Sequence, residues 1–326
     1  MDFLHALSSN LLSPAVLFFA LGLIAALTKS DLKFPEALYV GLTIYLLVAI
    51  GFKGGVAIND AGLGKVWLPA LAAMTIGALI PLWTYPLLRF GGKFSAVDAA
   101  AIAAHYGSVS AVTFIAATNY LKAVNQPYEN YATAFLAVME SPAILVGVVL
   151  GKLATSKSGK PDMTSLKSAL HEALFGRSVF LLVGALVVGW LCGKPGMEKV
   201  EPFFVTPFQG VLALFLLEMG LVAGRRLEDL KKVGPFLLAF GIVMPLIHGC
   251  VGVYLGQLTG LGLGGATLLG VLASSASYIA APAAIRMSLP DANPTFYLTA
   301  SLAITFPFNI ALGIPIYFEV ARWLYS

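Results

Sequence analysis

Apolar runs of bilayer length, separated by short charged connections, recur along the whole chain. About 20 apolar residues cross a bilayer as one helix. The charge-poor runs of this kind are 8–28, 36–53, 66–88, 98–121, 129–151, 177–193, 202–224, 233–258, 263–286 and 293–318. The uncharged stretch 233–285 would be about 80 Å long as a single helix, so a division is predicted at the glycine-rich TGLGLGG. The pattern predicts an all-α polytopic membrane protein with ten transmembrane helices.

The composition agrees with this fold class and excludes several functions. Hydrophobic residues make up 59% of the 326 residues and charged residues only 11%, whereas about 25% of a soluble domain is charged. The net charge of +4 is small and dispersed, which gives no reason to expect nucleic acid as a partner. The chain contains no Walker A, G-x-S-x-G or H-E-x-x-H sequence. The sequence therefore predicts neither an enzyme nor an ATP-driven pump, and no cofactor.

Lysine and arginine residues are distributed unevenly between the two sets of connections. Fourteen of the 20 fall in the connections on one side, which include the polar segment between spans 5 and 6. Because basic residues are enriched in cytoplasmic loops, this side is predicted to be cytoplasmic. With an even number of spans, both termini then lie outside the cytoplasm, and the expected location is the cell inner (plasma) membrane.

The two halves of the chain resemble each other at an offset near 166 residues. Pro35 opens span 2 and Pro202 opens span 7, and YGSVSAVTFIAA in span 4 aligns with ASSASYIAAPAA in span 9. Five spans per half give the halves opposite orientations, an architecture typical of secondary transporters. The predicted organisation is a first five-span repeat over 1–153, a cytoplasmic linker over 154–170 and a second, inverted repeat over 171–326.

The aligned segments of spans 4 and 9 combine hydroxyl groups with residues that weaken helices, Gly107 and Pro282. One explanation is close helix packing, which small residues permit in lipid. The other is an anion site, because broken helices in transporters direct free N–H groups at an anion. The duplication at symmetric positions favours the second explanation, with broken helices in spans 4 and 9. The aligned serines are Ser108, Ser110, Ser275 and Ser277.

Polar groups near the middle of the membrane are candidates for binding a coupling cation. Glu140 lies 11 residues after Glu129 and 12 before Lys152, a depth at which a charge is costly. Its carboxyl is either a cation ligand or proton site, or a group that is protonated or hydrogen-bonded to a neighbouring helix. For Asn309 and Thr305 the alternative role is a packing hydrogen bond. The candidate cation-binding residues are Glu140, Ser110, Thr113, Asn309 and Thr305, with Na⁺ as the expected ion.

With these motifs the chain resembles the sodium-dependent bicarbonate transporter family known from cyanobacteria. The likeness covers nearly the whole length. It is strongest in AIGFKGGVAI, YGSVSAVTFIAA, MPLIHGCVGVYLG and ASSASYIAAPAAIRMSLPDANPTFYLTASLAITFPFNIALGIPIYF. The resemblance implies inverted repeats divided into a core and a gate domain, a homotrimer, an elevator-like cycle and Na⁺-coupled uptake of a small anion. It also implies a PII-like regulatory partner on the cytoplasmic face.

The resemblance further implies a set of substrate-binding residues at the two breaks. Carried over by position, they are Gly107, Ser108, Val109, Ser110, Ser275, Ala276, Ser277, Tyr278 and Ile279. Glu140 falls where the family has an acid. The chain departs from the family pattern at three places: Tyr278 replaces an Asp, Ala280 replaces a Ser, and Ala111–Val112 replaces a Gly–Ser pair.

The leading expectation for function is a secondary active transporter of a small anion, with Na⁺-coupled bicarbonate uptake as the first candidate. A Na⁺- or H⁺-coupled carrier of another small solute, such as a short carboxylate, is the nearest alternative, with Tyr278 shaping a different pocket. An alternative of another class is a membrane sensor or scaffold that transports nothing. Glu140 at mid-membrane and the duplicated hydroxyl motif favour transport, because a scaffold needs neither.

Overall fold

The computed structural model describes residues 11–155, 167, 171 and 174–326, and this part of the chain is helical almost throughout. Most of the predicted linker 154–170 lies outside it. The helices are α1 Pro14–Leu27, α2 Glu36–Ala61, α3 Leu63–Pro86, α4 Ala96–Gly107, α5 Ala111–Ala123, α6 Thr133–Thr155, α7 Arg177–Phe204, α8 Phe208–Arg226, α9 Leu230–Leu258, α10 Leu263–Ser274, α11 Ala280–Ser288 and α12 Pro294–Leu324. The last of these contains two π-helical stretches, at Thr299–Thr305 and Asn309–Gly313.

Within the described residues, seven helical stretches are long and apolar enough to cross a membrane. They are Glu36–Ala61, Leu63–Gly91, Ala96–Ala123, Asn130–Ala154, Arg177–Phe204, Phe208–Leu258 and Pro294–Leu324. The all-helical membrane protein predicted from the sequence is confirmed. Two of the ten predicted spans, 202–224 and 233–258, fall in the single stretch Phe208–Leu258, and two others correspond to the shorter apolar helices α1 and α10. The arrangement of ten spans as inverted repeats stays a prediction.

The start of the seventh predicted span is wrong. The sequence predicts a connection over 194–201 and a span that Pro202 opens, but α7 kinks at Gly193, where φ is 58°, and continues to Phe204. The next helix, α8, begins only at Phe208. The segment 194–204 mixes charged and apolar residues, which hides it from a search for uncharged runs and suits a helix lying at the membrane surface. The predicted division within 233–285 is confirmed, because α9 ends at Leu258 and α10 begins at Leu263.

Four helices drawn from both halves of the chain form one group, here termed the frame: α1 packs on α8, and α2 packs on α7. Both contacts bring backbones together at glycines. A Cβ atom on Gly22 or Gly220 would overlap the backbone of the facing helix in the α1–α8 pair. The same holds for Gly55 and Gly189 in the α2–α7 pair. Such seams give close van der Waals contact in lipid, where no hydrophobic force drives helices together.

The remaining helices, α3 to α6 and α9 to α12, pack mainly on one another and are termed the core bundle. Its centre is α4, in which every residue from Ala99 to Gly107 is buried. The helix is wrapped by α3, α6 and α12. An apolar helix that faces no lipid on any side can carry small residues all round, which explains its run of alanines. The two predicted helix breaks both lie inside this bundle.

Candidate functional site

Helices α4 and α10 both end in extended backbone in the interior of the core bundle. Ser108 follows α4 with φ −80° and ψ 173°, and Ser275 follows α10 with φ −80° and ψ 163°. The chain becomes helical again at Ala111 and at Ala280. Helices are therefore interrupted at both positions predicted from the sequence.

The two extended segments cross and satisfy each other's backbone groups. The Ser110 N–H donates to Ser275 Oγ over 2.9 Å. The Ser277 N–H donates to the His105 carbonyl over 2.8 Å. Unpaired backbone groups are very costly inside a membrane, so each break depends on the other. We therefore treat the two segments as one structural unit, termed the crossing (Ser108–Ser110 and Ser275–Ile279).

Serine hydroxyls of the crossing also bind the start of the helix that follows each break. Ser110 Oγ accepts hydrogen bonds from the Thr113 N–H over 3.2 Å and from Thr113 Oγ1 over 2.9 Å, and donates to the Tyr278 hydroxyl over 3.3 Å. Ser277 Oγ accepts from the Ala281 N–H over 3.2 Å. The Ser110 contact with the Thr113 N–H is an N-cap interaction, and the Ser277 contact satisfies a backbone donor in the first turn of α11. Much of the hydroxyl content of the motif thus holds the breaks in shape.

A small cavity of about 20 Å³ lies beside the crossing and joins the core bundle to the frame. Its polar lining comes from Ser110, Glu140, Ser178 and Tyr278, and its other walls are Leu47, Val109, Ala111, Leu136, Leu182 and Ile279. Four predicted substrate-binding residues therefore line one cavity, and two predicted cation ligands do so as well, Glu140 and Ser110, the latter belonging to both sets. Its volume suits one water-sized occupant, so in this conformation it is closed around a very small space.

Charge in this cavity comes from a single group among its lining residues, the Glu140 carboxyl, which is 7% exposed. No ion pair between described residues includes Glu140. The Tyr278 ring is held between the cavity and α12, where it packs edge-on against Phe306 with 5.2 Å between ring centroids. The cavity therefore pairs one acidic group with the N-terminal ends of α5 and α11, which carry partial positive charge.

The other predicted substrate residues lie behind the cavity wall. Gly107 packs against Pro81, and a Cβ atom at this position would come within 2.6 Å of the proline ring. The Ser275 hydroxyl donates to the Leu272 carbonyl over 2.8 Å. The fully buried Ser108 hydroxyl has no partner among the described residues, and Ala276 is also buried. Direct contact of these residues with a substrate stays a prediction.

Two predicted cation ligands on α12 are placed elsewhere in the core bundle. Thr305 Oγ1 donates to the Gly241 carbonyl and contacts the Tyr106 hydroxyl, each over 2.7 Å. Asn309 Nδ2 donates to the Ser274 carbonyl over 3.0 Å, at the last residue of α10. Neither residue lines the cavity beside Glu140, although Asn309 supports the end of the helix that leads into the crossing. A role in cation binding stays a prediction for both.

Sequence reasoning missed two residues of this region. His105 is fully buried, its carbonyl accepts the bond from Ser277, and its ring stacks on Tyr297 with 4.4 Å between centroids. An ionisable residue within an apolar run two positions before Gly107 was the available signal. Ser178 lines the cavity from the first turn of α7. No sequence signal marks it, because only the packing of frame on core brings it there.

A wider cavity of about 320 Å³ adjoins the small one and shares Ser178 and Ile279 with it. Arg177, at the start of α7, contributes to its lining. Basic residues of this side are those predicted to face the cytoplasm. In this conformation the small cavity is therefore nearest to the side of the molecule that carries Arg177.

The protein is an all-helical, multi-pass membrane protein in which two helix breaks cross beside a buried acid. This combination is typical of membrane transporters. The model of the Na⁺-dependent bicarbonate transporter superfamily matches residues 14–322. The chain belongs to this superfamily, which confirms the resemblance found in the sequence and the prediction that the protein is not an enzyme. Na⁺ and bicarbonate are the transported species that the family name implies. No individual curated protein matches the chain at a significant level.

Proposed function

We propose that the protein is a secondary active transporter that couples the uptake of bicarbonate to Na⁺ through the crossing of the two helix breaks. The observation that supports this most directly is the single cavity lined by both breaks and by Glu140. The proposal extends the family membership to a particular substrate, a coupling ion and a set of residues in this chain.

The anion would be held without a fixed positive charge. Helices α5 and α11 both begin at the cavity, and free N–H groups at helix starts attract anions. No basic residue is among the lining residues of the small cavity. A site of this kind binds weakly enough to release its substrate on each cycle, whereas a buried lysine or arginine would retain it.

The cation would be held by Glu140 together with neighbouring oxygens. Ser110 and Ser178 line the same cavity and supply hydroxyl oxygen, a ligand type that suits hard cations. A Na⁺ ion next to the Glu140 carboxylate offsets the negative charge of that group, which makes the site more favourable for the bicarbonate anion. The binding of each ion then increases the affinity for the other, which is the thermodynamic basis of coupling.

Movement of the core bundle against the frame is the proposed transport step, in the manner of an elevator. Helices pack more extensively within each group than between the groups, as expected for two bodies that move relative to each other. In the full proposal the chain folds as two inverted repeats of five spans and works as a homotrimer. It lies in the cell inner membrane with both termini outside, and a PII-like protein is a candidate regulator on the cytoplasmic face.

Uptake of radiolabelled bicarbonate into proteoliposomes at alkaline pH tests the proposal, with and without an inward Na⁺ gradient. We expect uptake to require the gradient, and Glu140→Gln to reduce it to the liposome background, because the amide cannot balance a cation. Glu319→Gln is the matched control, since Glu319 pairs with Arg322 near the end of α12, away from the cavity.

Three results would contradict parts of the proposal. Uptake that is independent of Na⁺ would contradict the proposed coupling. Full transport activity of Glu140→Gln would contradict the proposed role of Glu140 as a cation ligand. Transport of formate in place of bicarbonate would favour a short carboxylate as the substrate, with the Tyr278 ring excluding the larger anion.

A further inference from the structure

A second large cavity, of about 600 Å³, opens between the frame and the core bundle on the side of the molecule opposite Arg177. Its position follows from the helices that line it. They contribute the C-terminal parts of α2, α5 and α7 together with the start of α8. Because α7 runs from Arg177 to Phe204, the cavity lies at the far end of that helix.

Three lysines and two acids line this cavity, but their charges are not distributed evenly. Lys194 forms an ion pair with Asp60 over 2.6 Å near the mouth, where both side chains are more than half exposed. Lys53 lies seven residues before Asp60 on α2, which places it about 10 Å deeper. Lys53 and Lys122 take part in no ion pair between described residues.

The ammonium group of Lys53 has a fixed place in the cavity wall. Its Nζ atom lies 4.1 Å from the centroid of the Phe208 ring, a cation–π contact that holds the charge without neutralising it. Lys122 is at the end of α5, the helix that begins at the crossing. Two lysines without an ion-pair partner therefore line one cavity, Lys53 at the deeper level and Lys122 at the outer end of α5, together with the acids Asp60 and Glu201.

The cavity also spans the boundary at which the two groups of helices would move. Asn119 on α5 and Gln209 on α8 exchange reciprocal amide hydrogen bonds of 2.9 and 2.7 Å, and both residues line the cavity. A substrate arriving from this side must pass along α5 to reach the crossing. Lys53 on the frame and Lys122 on the core bundle stand on the two sides of that route.

We propose that Lys53 and Lys122 form an anion-receiving station that attracts bicarbonate from solution and raises its concentration at the entrance to the crossing. This rests on the proposed transport of bicarbonate. With Lys194 and Asp60 paired, the remaining charged groups of the lining, Lys53, Lys122 and Glu201, leave the cavity with a net positive charge. A net charge on low-dielectric walls focuses the electric field and increases the local concentration of the opposite ion. The station acts before the transport site and binds its anion loosely, because Lys122 is exposed and Lys53 is only partly buried.

The local potential can be measured without any transport. Cys192 and Cys250 are exposed, so both are replaced by alanine, and Ala57→Cys then places a single thiol in the cavity wall. We measure the rates at which an anionic and a cationic methanethiosulfonate reagent modify this thiol at low ionic strength. Lys53→Gln/Lys122→Gln should lower the ratio of anionic to cationic rate by about threefold or more, and high salt should remove the difference.

Matched variants separate this effect from general changes in charge or folding. Lys65→Gln/Lys199→Gln removes two lysines of the same side that do not line the cavity, and it should leave the ratio unchanged. Lys53→Arg/Lys122→Arg keeps both charges and should also keep it. The proposal is overturned if the glutamine variant leaves the ratio unchanged, or if the Lys65/Lys199 control lowers it equally.

A transport measurement adds the functional consequence. The glutamine variant should raise the KM for bicarbonate several-fold at low salt and leave the maximum uptake rate unchanged, because the transport site itself is intact. A lower maximum uptake rate of the glutamine variant with an unchanged KM would contradict the proposal that the two lysines concentrate the substrate. Failure of the wild type to take up bicarbonate would overturn the proposed function, whereas the reagent ratio would still report whether the cavity attracts anions.

Discussion

The hydrogen bond between the Ser110 N–H and Ser275 Oγ makes the stability of the crossing measurable. Ser275→Ala removes the acceptor and leaves a backbone donor without its partner at a residue that is 4% exposed. Leaving a buried donor unsatisfied costs about 1–3 kcal/mol, and interhelical hydrogen bonds in membrane proteins reach at most about 1.7 kcal/mol in double-mutant cycles. We therefore expect a loss of about 1–2 kcal/mol, which is a change of about 5- to 30-fold in the folding equilibrium.

Equilibrium unfolding in mixed detergent micelles measures this loss, and Ser301→Ala is the matched control. The Ser301 hydroxyl is equally buried and donates to the Tyr297 carbonyl over 2.7 Å. That bond lies one turn back within a single helix, where such bonds contribute little to stability. Ser275→Ala should therefore be clearly less stable than Ser301→Ala. Equal stabilities would refute the argument that each break depends on the other for its hydrogen bonds.

Two further predictions concern the helix contacts that surround the site. Gly55→Ala should destabilise the protein by about 1–3 kcal/mol through overpacking against α7. Gly184→Ala should be neutral, because no described atom beyond its own helical turn lies within 4 Å of the added methyl group. Comparable losses of stability in an unfolding titration would contradict the proposed role of the seam. Glu129→Gln should speed hydrogen exchange at Gly262, since Glu129 Oε1 accepts the Gly262 N–H over 2.7 Å at the start of α10; unchanged exchange, measured by mass spectrometry, would show that this contact stabilises nothing.

The helix breaks were predictable from the sequence because they combine two independent signals. Gly107 and Pro282 weaken a helix locally, and the alignment of the two halves shows that both positions belong to one pattern. The sequence also predicts that Glu140 lies inside an apolar span, away from flanking charges, and in the structure it lies in the apolar helical stretch Asn130–Ala154. The structure adds that these groups meet at one cavity.

The sequence could not predict which of the four serines line the cavity and which bind backbone groups. Sequence identifies four aligned hydroxyls, but in extended backbone their directions depend on local dihedral angles and on the partner segment. Only Ser110 of the four lines the cavity. Ser275 and Ser277 bind backbone groups, so these two hydroxyls hold the segments of the crossing in place, and the anion site stays a prediction.

The seam between α1 and α8 sets a condition on how the protein is made. Gly22 and Gly220, which bring these helices together, lie 198 positions apart in the chain. A ribosome that adds about 5–20 residues per second needs about 10–40 s to cover that distance. During this time α1 has been synthesised but α8 has not, so the glycine face of α1 has no helix to pack against. The first half of the polypeptide therefore stays incompletely packed until α8 has been synthesised.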